Sequence, residues 1–221
     1  MPDLSNVFTL ETLIGGAAIL VAIVIHEICH GLAALKLGDD TAKEDGRLTF
    51  NPIKHIDPVG AILLLVVNFG WAKPVMVDMR RFENPKRDMA IVAVAGPASN
   101  FALAAVGAML LRLTLELSPG IWRYIAVVFL FFLITRSVAL GIFNLFPIPP
   151  LDGSKILAAF LPDRLYVPYM RLERYGMIAV FALVFLGVIS VPLLWMLHTS
   201  LDFLFYSVGL SWDAVSTAMS K

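Results

Sequence analysis

Four stretches of this chain are long and apolar enough to cross a lipid bilayer, and that restricts the backbone that can lie inside it. A helix needs about 20 largely apolar residues to span the hydrocarbon. Residues 13–37, 89–115, 122–146 and 177–197 each meet that requirement. Lipid offers the backbone no hydrogen-bonding partner, so segments of this length form helices. Composition agrees. Hydrophobic residues make up 59% of the 221 and charged residues 15%, against about 45–50% and 25% in a soluble domain. The expected fold is an all-α membrane protein, a polytopic bundle of about four transmembrane helices. It reads as a single membrane-embedded domain, residues 1–221. Its core covers about 10–160, a further transmembrane helix covers 177–198, and 199–221 form an interfacial tail.

A shorter apolar stretch, Val59–Val67, lies between the first two spans, bracketed by Pro58, Gly70 and Pro74. It is too short to cross. It is expected to form a re-entrant loop or short β-hairpin, which is tolerated at membrane depth where protein buries it or it lines a wet cavity. With Phe69–Val75 it could offer a strand edge to an extended peptide.

Charge sets the orientation. Of the 17 Lys and Arg, Arg112, Arg123 and Lys221 fall on one side and Arg136 lies within the third span. All the others fall on the opposite side, which the positive-inside rule makes cytoplasmic. Both termini then face outward, which agrees with the even number of spans, since that requires them to share a side. Met1-Pro2-Asp3 carries no basic cluster of the signal-peptide kind, so the first apolar segment is expected to be retained. A net charge of zero gives nothing to attract nucleic acid. Cys29 is the one cysteine, which excludes an internal disulfide and any multi-cysteine zinc site.

The first span carries His26-Glu27-Ile28-Cys29-His30, an HExxH pattern. Residues four apart share a helix face one turn up, so both imidazoles can reach one ion. Glu27 stands about 100° round the helix, close to the ion without binding it, where it can take a proton from a water on the metal. Zinc suits this task because it has no redox chemistry and lowers the pKa of its water to about 7. Ionisable groups inside a span are costly, and three together point to function. A metal carrier would need ligands at several depths and no base.

Two histidines leave a catalytic zinc one protein ligand short. The soluble metzincin continuation is absent, since Ala33 and Lys36 stand where its glycine and third histidine would be. Asp152 is the leading candidate. It follows the proline-rich end of the third span, Asn144-Leu-Phe-Pro-Ile-Pro-Pro-Leu-Asp-Gly153, and the prolines force a stiff path that can fold back toward the bundle. The alternatives are that Asp152 caps a short helix over 154–161, or that Glu44 or Asp45 is the ligand. Depth favours Asp152. His30 lies roughly 10 Å from the cytoplasmic end of its span and Asn100 roughly 16 Å from the same side.

These residues resemble the site-2 protease family of intramembrane zinc metalloproteases, in its compact form without PDZ or CBS domains. His26-Glu27-xx-His30 is similar to the family's first motif and Asn144-xx-Pro147-x-Pro149-Pro150-Leu151-Asp152-Gly153 to its second. Weaker similarities are Asn51–Gly60, Gly70-Trp71-Ala-Lys-Pro74 and Gly96-Pro97-Ala-Ser-Asn100. The resemblance implies one Zn2+ held by His26, His30 and Asp152, with Glu27 as general base. It implies that Asn144 positions the substrate or polarises its carbonyl. Asn100, Gly70 and Trp71 become candidate substrate-binding residues. The implied partners are the lipid bilayer and a membrane-protein or peptide substrate with a transmembrane segment. The implied location is the cell membrane, with the active site toward the cytoplasm.

Overall fold

The computed structural model describes residues 9–60 and 72–220. Among these residues it is helical, as expected of an all-α bundle, and it contains no strand beyond one isolated bridge. Three helices are long and apolar enough to cross a membrane: α1 (Leu10–Lys36), α3 (Pro85–Thr114) and α4 (Ile121–Asn144). A short helix, α2 (Thr41–Glu44), sits in the loop that follows α1. After α4 come α5 (Asp152–Phe160), α6 (Asp163–Arg171), α7 (Glu173–Phe185), α8 (Ser190–Ser207) and α9 (Trp212–Met219).

The three long helices pack mutually because small residues line their contacts. Ala18 and Ala22 on α1, and Ala104 and Ala108 on α3, are fully or almost fully buried. Each pair is spaced by four, the small-xxx-small arrangement that lets helix backbones approach. α4 fills the space with larger groups, including Val127, Val128, Ile134 and Val138. Thr9 caps α1, its hydroxyl accepting from Thr12 N–H at 3.2 Å.

The segment 177–197, read as a single span, is divided. α7 and α8 meet at a 77° bend, because Gly187 adopts a left-handed φ of 74° and ends α7. Pro192 falls in the first turn of α8, where its missing N–H costs nothing. The 13 residues of α7 extend only about 20 Å, short of the hydrocarbon thickness of about 30 Å, so α7 does not cross by itself. Residues 199–207 continue α8 and bury Leu201 and Phe205 in the main core with Leu130, Leu133 and Val215.

One end of the bundle gathers the start of α1, the start of α4 and α9. Tyr124 O–H donates to Glu11 at 2.8 Å, and Trp212 packs edge-on against Phe131. The opposite end holds the loops after α1 and the proline segment between α4 and α5. There Arg81 pairs with Asp40 and with Glu44. Asp39, wholly buried, accepts from the backbone N–H of Thr41 and Asp78. Residues 61–71, which hold most of the expected re-entrant loop or hairpin with Gly70 and Trp71, lie outside the described residues. The flanks of that segment are joined by an antiparallel bridge between Ile56 and Ala72.

Candidate metal centre and active site

Three side chains converge where α1, α3 and α5 meet. His26 and His30 point from one face of α1, as their spacing requires. Asp152 opens α5, and its carboxylate does not cap that helix. The Nε2 atoms of His26 and His30 lie 3.0 Å apart. Asp152 Oδ2 stands 3.1 Å from His30 Nε2 and 3.2 Å from His26 Nε2. All three residues are buried. Among the described residues this is the one cluster of His, Cys, Asp or Glu that could hold a metal ion. Glu44 is instead engaged with Arg81.

The chemistry of the donor set fits zinc. His30 Nδ1 lies 2.7 Å from Val92 C=O. A carbonyl only accepts, so the proton is on Nδ1 and Nε2 presents its lone pair. His26 Nδ1 faces the amide of Asn100 at 3.1 Å, and Asn100 is wholly buried with Oδ1 unpartnered. Amide oxygen and nitrogen are distinguished by their partners. Turning the amide by half a turn gives Oδ1 the His26 Nδ1–H and frees His26 Nε2 in the same way. Two lone pairs and a carboxylate oxygen within 3.2 Å repel one another unless a cation sits among them. Their separations are close to the edge of a zinc tetrahedron, about 3.3 Å for bonds of 2.0–2.1 Å.

Two glycines make the approach possible. A Cβ on Gly96 would lie 2.3 Å from His30 Nε2 and 2.6 Å from His26 Cε1, so α3 passes flat beneath both imidazoles. Pro97 follows. It cannot donate to Ala93 C=O and its ring crowds that carbonyl, one residue beyond the Val92 carbonyl that accepts from His30 Nδ1–H. A Cβ on Gly153 would meet Leu145 C=O at 2.1 Å. The start of α5 is therefore seated on the backbone of the turn that ends α4. The Pro149–Pro150 peptide in that turn is cis, and Tyr169 on α6 braces the turn by donating to Pro147 C=O at 2.9 Å.

Glu27 is half-buried beside the cluster. Its Oε2 accepts from Val75 N–H at 2.8 Å. Asn144, at the end of α4, donates its amide to Leu140 C=O at 3.0 Å. His55 and Asp57 serve local turns. His55 Nε2 lies 2.9 Å from Thr49 C=O, and Asp57 accepts from the N–H groups of Val59 and Gly60. Cys29 is partly exposed and free. Arg136 is exposed in the middle of α4. Val75, Val92 and Arg47 were not singled out by sequence. The first two act through backbone atoms, which carry no residue signature, and Arg47 was read only as a topogenic charge.

Three helices long and apolar enough to cross a membrane bring two histidines and an aspartate around one candidate ion position, with a glutamate at its side, an arrangement that suits a membrane metallohydrolase. The sequence model of Peptidase family M50 matches residues 120–187, the part that includes Asn144 and Asp152. The chain is 39% identical over 193 residues to "Putative zinc metalloprotease YwhC" of Bacillus subtilis (strain 168), covering 83% of this chain and 85% of that protein. It is 31% identical over 169 residues to "Putative zinc metalloprotease Rip2" of Mycolicibacterium smegmatis, covering 74% of this chain and 63% of that protein. "Putative zinc metalloprotease MJ0611" of Methanocaldococcus jannaschii is 31% identical over 134 residues, 61% of this chain and 63% of that one. No solved structure matches. The chain belongs to peptidase family M50, the site-2 protease family, and is an integral membrane zinc metalloprotease.

Proposed function

We propose that this protein hydrolyses peptide bonds in or near transmembrane segments of membrane proteins, with His26, His30 and Asp152 holding zinc and Glu27 acting as general base. The observation that carries this reading is the buried triangle of His26, His30 and Asp152 with the Glu27 carboxylate fixed beside it. Zinc there supplies Lewis acidity, lowering the pKa of a water and polarising a carbonyl oxygen. Glu27 keeps Oε2 on Val75 N–H, and its other oxygen takes the proton of the attacking water. The same oxygen returns that proton to the leaving nitrogen. Asn144 turns its amide from Leu140 to the oxyanion, adding a donor where negative charge develops. Asn100, buried on His26, holds that imidazole in its metal-binding tautomer. The substrate must present an unwound peptide bond, because a carbonyl within an intact helix is already hydrogen-bonded.

The site lies at the end of the bundle rich in lysine and arginine, so it opens toward the cytoplasm of a cell membrane and both termini face outward. Proximity of Glu11, Tyr124 and α9 at the other end supports this. Single cysteines at Ser118 and in the 80–87 loop, in a Cys29→Ala background, test it. An impermeant reagent added to intact cells should label position 118 only, and labelling of the loop alone would invert the topology.

Reconstitution with single-span peptides tests the chemistry. Glu27→Gln should keep one zinc by elemental analysis and lose about 10²–10⁴-fold in turnover read by mass spectrometry. Full turnover in that variant would reject Glu27 as base.

A further inference from the structure

We propose that Arg47 positions the Glu27 carboxylate through a single peptide group, the one joining Pro74 to Val75. This rests on the reading of Glu27 as the base. Arg47 is 6% exposed. Among the described residues it makes no ion pair. Its three acceptors are backbone carbonyls. Nη1 donates to Lys54 C=O. Nη2 donates to Lys73 C=O at 2.6 Å and to Pro74 C=O at 2.9 Å. A buried cation held only by carbonyls is a costly way to secure a loop, and the loop has other ties. Lys73 N–H donates to His55 C=O at 2.9 Å, and Ile56 is bridged to Ala72.

The Pro74 carbonyl and the Val75 N–H are the two ends of one planar unit. Arg47 grips the oxygen and Glu27 grips the hydrogen. Fixing the plane fixes the direction of the N–H, which in turn fixes which carboxylate oxygen stays occupied and where the other one points. The guanidinium on the carbonyl also polarises the peptide and strengthens its N–H as a donor. Pro74 itself has no N–H, so the preceding peptide cannot compete for the carboxylate. Arg47 is thus a positioning residue. None of its hydrogen bonds reaches His26, His30, Asp152 or Glu27, and it acts on the base from the far side of one amide.

Arginine suits this place because its planar fork reaches carbonyls on two arms of chain, 54 and 73–74. A lysine ammonium is a point donor that can serve one arm at a time. Arg47→Lys should therefore keep its zinc and a KM within about threefold of wild type. Its kcat should fall by roughly 10–100-fold, the scale of a misplaced catalytic group. In a Glu27→Gln background the same change should leave the residual rate within about twofold, because the group it positions is gone.

The test is kcat, KM and zinc content for Arg47→Lys, Glu27→Gln and the double variant on one reconstituted peptide. Wild-type kcat in Arg47→Lys would overturn the proposal, as would loss of zinc, which would make Arg47 a scaffold for the whole site. A further loss of the same size in the double variant would show that Arg47 acts independently of Glu27. Full turnover in Glu27→Gln alone is a separate outcome, and it would remove the base assignment itself.

Discussion

α1 carries His26, Glu27 and His30 on one continuous stretch of helix, whereas Asp152 reaches the same ion position from 122 residues beyond His30, at the start of a short helix behind a proline turn. Helix periodicity brings the two imidazoles to one face, and Val92 C=O and Asn100 on α3 then fix how each ring is turned. Nothing local aims the carboxylate. Its place depends on Gly153 seated against Leu145 C=O, on the turn at Pro147–Leu151, and on Tyr169 bracing that turn from α6. The contrast shows where the site is vulnerable. The histidines are placed by helix spacing and only oriented by α3, whereas the aspartate owes its position itself to packing that has to be assembled.

Breaking the assembled half should have the largest effect. Asp152→Ala is expected to weaken zinc binding and take turnover below detection, while Glu44→Ala and Asp45→Ala change neither. Zinc titration with a competing chelator, beside peptide cleavage, checks all three. Retained metal in Asp152→Ala with loss in a loop variant would reverse the assignment.

Gly96→Ala attacks the local half from outside. The new methyl would collide with both imidazoles, so turnover should fall by about 10²-fold, the scale expected when catalytic groups shift by 1 Å. A clash relieved by moving α3 would appear instead as lower thermal stability in detergent, about 1–3 kcal/mol, with turnover kept.

Asn100→Ala should be milder. It removes the partner of His26 Nδ1, and loss of such an outer partner lowers metal affinity by about 10–100-fold. Asn100→Asp, which still accepts from Nδ1–H, should stay near wild type. Equal losses in both variants would mean that Asn100 supports packing and not the tautomer.

Tyr169→Phe is the smallest perturbation. It deletes one hydrogen bond to Pro147 C=O, worth about 1 kcal/mol of stability, and zinc should remain bound. Loss of metal in this variant would show that the Asp152 turn depends on a single brace.

The same contrast explains what was legible in the sequence. The spans α1, α3 and α4 could be read because lipid permits little besides helix over such a length. The histidine spacing could be read because 3.6 residues make a turn. Asp152 was reachable because prolines on both sides of Ile148 leave so few backbone paths. Gly187 was a different matter. Its single left-handed φ divides α7 from α8, and in an apolar run a glycine is as compatible with a continuous helix as with a break. The orienting groups were invisible for another reason. Val92 and Val75 contribute a carbonyl and an N–H, which every residue other than proline carries. Arg47 reaches its carbonyls only after the loop has folded round it.

The central claim is that ligands from these two unlike regions meet on one zinc. X-ray absorption at the zinc edge of the purified protein tests it directly. We expect a first shell of nitrogen and oxygen at about 2.0–2.1 Å with the outer-shell signature of two imidazoles, and a changed first shell in Asp152→Ala. A sulfur scatterer at about 2.3 Å, which would place Cys29 on the metal, or a first shell identical in Asp152→Ala, would contradict it.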